Sequence, residues 1–300
     1  MISQVNSLII SKPKAVLTKN NNNTSFYGQA VSIPLEQKDG KDVVAINKKS
    51  KLSKKQKTWV KIGTVVAAIA AVAVTAREVF IKKAQKVFKE AFLRDDINRK
   101  ETIKILKRYK DIGKIKDKNE YIRAVYEEGK KNFGLNDLKL NFSIEEFADK
   151  AVNGQYETGV ASVKINKNIR NSRIINTVHH ELRHVKQANL MINYSPLEYA
   201  RAVLKSKGKP FEAYLNDLNF LRAMNDKYYR THGVTRNPNS VPKSLEDYVK
   251  KLIKAQEVYV EGYLVNGKPN KEYYNNFKEV DARKCGDSLE KILKWVKFWR

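Results

Sequence analysis

The chain has 300 residues, enough for one or two domains with a sizeable buried core. Lys and Arg total 59 against 32 Asp and Glu, a formal net charge of +27. This balance favours anionic partners such as nucleic acid, anionic lipid or an acidic polymer, although the lysines are scattered as composition drift alone would leave them. The single cysteine, Cys285, excludes an internal disulfide and any all-cysteine metal site, so a metal would have to be held mainly by His and carboxylates.

Residues 1–57 read as a disordered basic tail. The asparagine run Asn20–Asn23 and the lysines from Lys48 to Lys57 bury too little apolar surface to offset chain entropy. Met1–Val5 shows no secretory signal pattern. Residues 58–78 read as a transmembrane or apolar helix. Ile62–Ala76 is uncharged, and with Lys61 snorkelling Trp59–Ala76 just reaches ~17 residues, the lower limit for a span that usually takes ~20. This predicts a single-pass membrane protein, with the lysine surplus before the run favouring an N-terminus inside. The other reading is a buried or surface helix in a cytoplasmic protein. Residues 79–115 read as a charged helical stalk or linker with a partial stripe of Phe80, Val87, Phe88 and Ile97, broken at Ile112–Lys114.

A globular domain is expected over residues 116–300. It opens with a helix over Asn119–Lys131 and a strand at Leu138–Phe142. A turn follows at Asn153–Gly154, then a strand at Gly159–Asn166, where Val160–Asn166 alternates and is rich in β-branched residues. Helices fill Pro196 to Gln256. Leu289, Ile292, Leu293, Val296 and Trp299 form an amphipathic end that docks on the rest.

Residues 179–184 read His-His-Glu-Leu-Arg-His, and from His180 onward they match H-E-x-x-H. Residues four apart share one face of a helix, so two imidazoles at that spacing can point at one zinc ion. The glutamate beside the first histidine can then serve as general base toward water. With His180 at zero on a helical wheel, His184 falls at about 40° and Gln187 at about 340°. Ile175, Val178, Leu182 and Val185 fall between about 140° and 220°, opposite the histidines. Ser172 is the expected N-cap. His179 falls near 260°, off the metal face, and reads as a flanking residue. The chain has only four histidines, and three lie in this stretch, which argues against accident.

The strand followed by an H-E-x-x-H helix resembles the zincin metallopeptidases, in which a sheet edge runs beside the active-site cleft. The metzincin pattern is absent, because Gln187 and Leu190 stand where that pattern has Gly and His. The stretch Phe277–Arg283 instead resembles the glutamate-bearing second helix of gluzincin-like metallopeptidases, with Ala282 as its small residue. That resemblance implies Glu279 as third zinc ligand and Asp281 as an acceptor behind the ligands. His232, Glu257 and Glu261 remain rivals for the third position. Tyr273, Tyr274 and His232 are candidates to hold an oxyanion. The resemblance covers a few tens of residues, and His184 and Glu279 lie farther apart in sequence than in compact family members.

The expected fold is α+β and zincin-like: a small twisted sheet packed on the H-E-x-x-H helix, with a mainly helical C-terminal half. The expected activity is zinc-dependent peptide hydrolysis, with Glu181 as general base, His180, His184 and Glu279 as ligands, Zn2+ as cofactor and a peptide or protein as substrate. The competing reading is a membrane-anchored basic binding or structural protein with a degenerate zinc site. Nucleic-acid binding rests on charge alone, since no RNP, zinc-finger or helix-turn-helix signature accompanies it.

Overall fold

A computed structural model describes residues 54–208, 218–235, 237, 241–259, 264–265 and 268–296. The expected tail lies outside the described residues up to residue 53, as do Glu261 and Trp299. The chain divides into residues 1–60 and 61–300, and the first helix from Lys61 onward and every later element belong to the second unit.

The described residues are mixed α and β, mostly helical with a small three-stranded sheet. The elements before the motif are α1 (Lys54–Phe92), α2 (Arg99–Ile112), α3 (Lys118–Asn132), β1 (Asn141–Glu145), β2 (Gly154–Glu157) and β3 (Ser162–Asn166). The motif helix is α4 (Ile174–Tyr194). After it come α5 (Pro196–Ser206), α6 (Leu218–His232), α7 (Glu246–Glu257), the short pair β4 (Leu264–Val265) and β5 (Lys268–Pro269), α8 (Lys271–Asn275) and α9 (Phe277–Val296).

Residues 58–78 do not form the expected membrane span. They lie within α1, and no helix among the described residues is long and apolar enough to cross a membrane. The physical reason is length and composition. The run Ile62–Ala76 rises only about 22 Å against a hydrocarbon core of about 30 Å, and Lys61 and Arg77 bound it. Alanine, which drives insertion weakly, makes up much of it. The single-pass reading is therefore corrected.

Residues 79–115 do not stand apart as a stalk either. Ala84, Phe88, Ala91 and Phe92 of α1, and Ile105, Leu106 and Tyr109 of α2, share one buried cluster with Ile122, Val163, Val178 and Leu289. Their spacing by three and four residues places them on one helical face, the pattern of a helix packed on a core. Complete burial of such side chains contributes about 1.5–3 kcal/mol each, so these two helices are integral to the fold. Asn98 and Asp117 cap α2 and α3 by accepting from the backbone N–H of Glu101 and Glu120.

The sheet order is β1-β3-β2. β3 pairs in parallel with β1 and antiparallel with β2. Val163 and Ile165 enter the core, while Lys164 on the other face bridges Glu157 at 3.0 Å and Glu145 at 3.4 Å. The strand expected just before the motif is thus the central one. The edge that packs on α4 is β2, where the sequence suggested only a turn. Gly154 makes that approach possible. A Cβ there would lie 2.7 Å from Thr177 Cγ2 and 3.0 Å from the Glu181 side chain.

α4 is the hub. Val178, Leu182 and Val185 are fully buried, as the wheel requires. Ser172 is not the N-cap: a short 3-10 turn, Asn171–Arg173, leads into α4, and Arg173 at the cap makes no side-chain capping bond. α9 packs along α4 more extensively than any other helix does. Gly286 lets the two backbones close, since a Cβ there would lie 2.7 Å from the Asn176 carbonyl oxygen. A second cluster joins Leu190 and Met191 of α4 to Ala202 of α5 and Val249, Leu252 and Ile253 of α7.

Candidate metal centre

His180 and His184 stand one turn apart on α4, and Glu279 comes from the first turn of α9. Their ligand atoms all lie within 4.8 Å of one another. His180 Nε2 is 3.1 Å from His184 Nε2. Glu279 Oε2 is 3.5 Å from His180 Nε2, and Glu279 Oε1 is 3.3 Å from His184 Nε2. Ligands bound to zinc at 2.0–2.1 Å with tetrahedral angles would be about 3.3 Å apart, so the triangle has the size of one tetrahedral face. Glu279 is 1% exposed, and its Oε2 has no hydrogen-bond partner among the described residues. A buried carboxylate oxygen without a donor is costly unless a cation meets it. These residues therefore fit a metal ion.

Burial opposes ionisation of Glu279, but the His184 and His180 rings outweigh it and hold its carboxyl well below the usual carboxylate range. Glu279 Oε1 also accepts from the Tyr259 hydroxyl at 3.1 Å. Glu181 is buried between α4 and β2. Burial raises its carboxyl to about 7, with the Glu279 charge adding to the rise and the His180 ring and the Tyr156 backbone N–H opposing it. A carboxyl poised near neutrality can exchange protons with water in either direction.

Behind the histidines lies a polar network. Arg183 forms a fork on Asp281, with Nε to Oδ2 at 2.6 Å and a terminal nitrogen to Oδ1 at 2.9 Å. It also donates to the Ala91 carbonyl at 2.6 Å and lies over the Tyr248 ring. Tyr248 donates to Asp281 Oδ2 at 2.7 Å. Asp281 does not touch a ligand histidine directly. Gln187 stands between: its amide donates to Asp281 Oδ2 at 2.9 Å, and its carbonyl accepts from His184 Nδ1 at 2.9 Å.

The remaining candidates fall on both sides of the expectation. Tyr273 lies within the field of Glu279 and Glu181; burial, with the Glu279 charge next, pushes its hydroxyl well up. Tyr274 is exposed and lies under Arg283. His232 is no ligand. Its Nδ1 donates to the Tyr228 carbonyl at 3.0 Å, so its Nε2 accepts from the Tyr156 hydroxyl at 2.9 Å. Glu257 is committed to Lys205 at 2.7 Å. His179 is fully buried, with Nδ1 donating to the Ile175 carbonyl and Nε2 accepting from Tyr109, each at 2.6 Å. Tyr259 and Arg183 carried no signal in the sequence. Gln187 did, through its place on the metal face of the wheel.

The chain matches no protein-family model, no curated protein and no solved structure.

Proposed function

We propose that this chain is a zinc-dependent metallopeptidase of zincin type, with His180, His184 and Glu279 as ligands and Glu181 as general base. The observation that carries the reading is the convergence of two imidazole nitrogens and one buried carboxylate at spacings of 3.1–3.5 Å, with Glu181 next to the first histidine. Two histidines and a glutamate are a recognised catalytic zinc set, in which one coordination position stays open.

When bound, zinc would act as a Lewis acid on a peptide carbonyl and make water easier to deprotonate. The role of Glu181 would be to take a proton from the attacking water at its carboxylate and to deliver it to the leaving amine. Its burial against β2 keeps bulk water from its carboxyl, and Gly154 leaves room for the side chain. Of the two tyrosines, Tyr273 is the better candidate to donate to a developing oxyanion, because its hydroxyl lies near Glu279 and Glu181 whereas Tyr274 is exposed.

The test is Glu181→Gln in the full chain, screened with the wild type against a peptide library. The expected result is unchanged zinc content with turnover reduced about 100-fold or more. Wild-type turnover in that variant would overturn the assignment of Glu181. If the zinc-loaded wild type cleaves no peptide, the peptidase reading gives way to a binding or structural protein with a zinc site.

A further inference from the structure

Gln187 lies one turn beyond His184 on the same face of α4 and is fully buried. Its amide is gripped from the α9 side by two groups that can only accept. Nε2 donates to the Lys278 carbonyl at 3.1 Å and to Asp281 Oδ2 at 2.9 Å. Asp281 faces Gln187 as an acceptor: Oδ2 also accepts from Arg183 Nε at 2.6 Å and the Tyr248 hydroxyl at 2.7 Å, and Oδ1 accepts from the guanidinium at 2.9 Å. With both amide hydrogens directed at these acceptors, the Gln187 amide has one sensible orientation, and its oxygen must face His184.

That orientation has a consequence for the ring. Gln187 Oε1 lies 2.9 Å from His184 Nδ1, and a carbonyl oxygen accepts but does not donate. Nδ1 must therefore carry the hydrogen. The neutral ring then has its lone pair on Nε2, the nitrogen that faces His180 and Glu279.

We propose that Gln187 is a positioning residue that locks His184 in the Nδ1–H tautomer before any metal arrives. The order runs from Arg183 through Asp281 and Gln187 to the His184 ring, and links α9 to the face of α4 that carries the ligands. The assignment of Nε2 as metal-binding atom rests on the zinc reading above. The tautomer itself does not.

The lock gives the site a ready ligand. A free imidazole in water divides between two tautomers and rotates, whereas His184 is fixed in ring angle and hydrogen placement by a partner that is itself anchored at two points, the Lys278 carbonyl and Asp281. Partners of this kind behind metal-binding histidines change metal affinity by about 10–100-fold.

The test uses the full metal-free chain and its Gln187→Met variant, which keeps length and flexibility but removes all three polar contacts. Ring nitrogens are observed by long-range proton–nitrogen correlation at about pH 8, above the ordinary histidine pKa. Zinc affinity is measured in parallel by competition with a chelator. In the wild type, His184 is expected as Nδ1–H; in Q187M it is expected to shift toward Nε2–H, with zinc bound about 10–100-fold more weakly. His179, whose Nδ1–H is held by Ile175, reports that α4 remains folded in the variant. The proposal is overturned if wild-type His184 is Nε2–H, a result that needs no variant. It is also overturned if Q187M keeps α4 folded and leaves the His184 tautomer unchanged. If the tautomer shifts as expected but neither protein binds zinc, the lock stands and the zinc reading fails.

Discussion

Arg183 and Asp281 form a two-point ion pair at 2.6 and 2.9 Å that ties the middle of the H-E-x-x-H segment to the first turns of α9. Arg183 sits between Glu181 and His184 in sequence, and Asp281 sits two residues after Glu279. Fixing this pair fixes the register of the two helices, and with it the meeting of Glu279 with the two histidines. The arginine in the motif, which the pattern itself leaves free, is therefore part of what assembles the site.

Removing one partner of a buried pair leaves an uncompensated charge. Asp281→Ala is expected to destabilise the protein by about 3–5 kcal/mol in denaturant unfolding. Replacing both partners, Arg183→Met with Asp281→Leu, is expected to cost less than the single change. A double variant as unstable as the sum of the two singles would show that the residues act independently.

His179 gives the fold an acid sensitivity. Burial lowers its pKa from 6.5 to about 4, with the Ile175 carbonyl opposing the shift. Between these values the unfolded chain binds more protons at this residue than the folded chain. The associated stability is thus fully present above about 6.5, declines as pH falls, and is lost through about 4; its whole extent is at most about 3 kcal/mol. Titration of the His179 ring by NMR checks this. A midpoint near 6.5 in the folded protein would contradict the buried neutral ring.

Much of the candidate site was legible in the sequence. The four-residue spacing of His180 and His184, the apolar stripe of Val178, Leu182 and Val185 behind them, and the Glu279–Ala282 pattern are local features, and helical geometry turns them into places in space. What was not legible depends on long-range contact. β2 is a four-residue edge strand with a glycine at its start, and its backbone pairing with β3 leaves no pattern in so few residues. The role of Gln187 depends on Lys278 and Asp281, about ninety residues away. The apolar run of α1 resembled a membrane span because alanine is uncharged, but it is too short and too weakly apolar for that. α1 and α2 looked like a stalk because their exposed faces carry many lysines, while the buried stripe of Ala84, Phe88 and Phe92 is narrow.

That core assignment predicts where the chain cannot be cut. A fragment of residues 116–300 would lose Phe88, Phe92, Ile105 and Leu106 from the core, and the Tyr109 hydroxyl that meets His179. Near-UV circular dichroism and amide NMR of that fragment should show lost tertiary packing with helix content largely kept. A dispersed, native-like spectrum would mean that α1 and α2 are dispensable.

On the proposed reading, His180, His184 and Glu279 hold one zinc ion. The direct test is zinc stoichiometry of the purified full-length chain beside His184→Ala and Glu279→Ala, each verified as folded. One zinc per wild-type chain is expected, with binding abolished or strongly weakened in both variants. A folded wild type that takes up no zinc, or a Glu279→Ala variant that keeps full zinc at unchanged affinity, would contradict it.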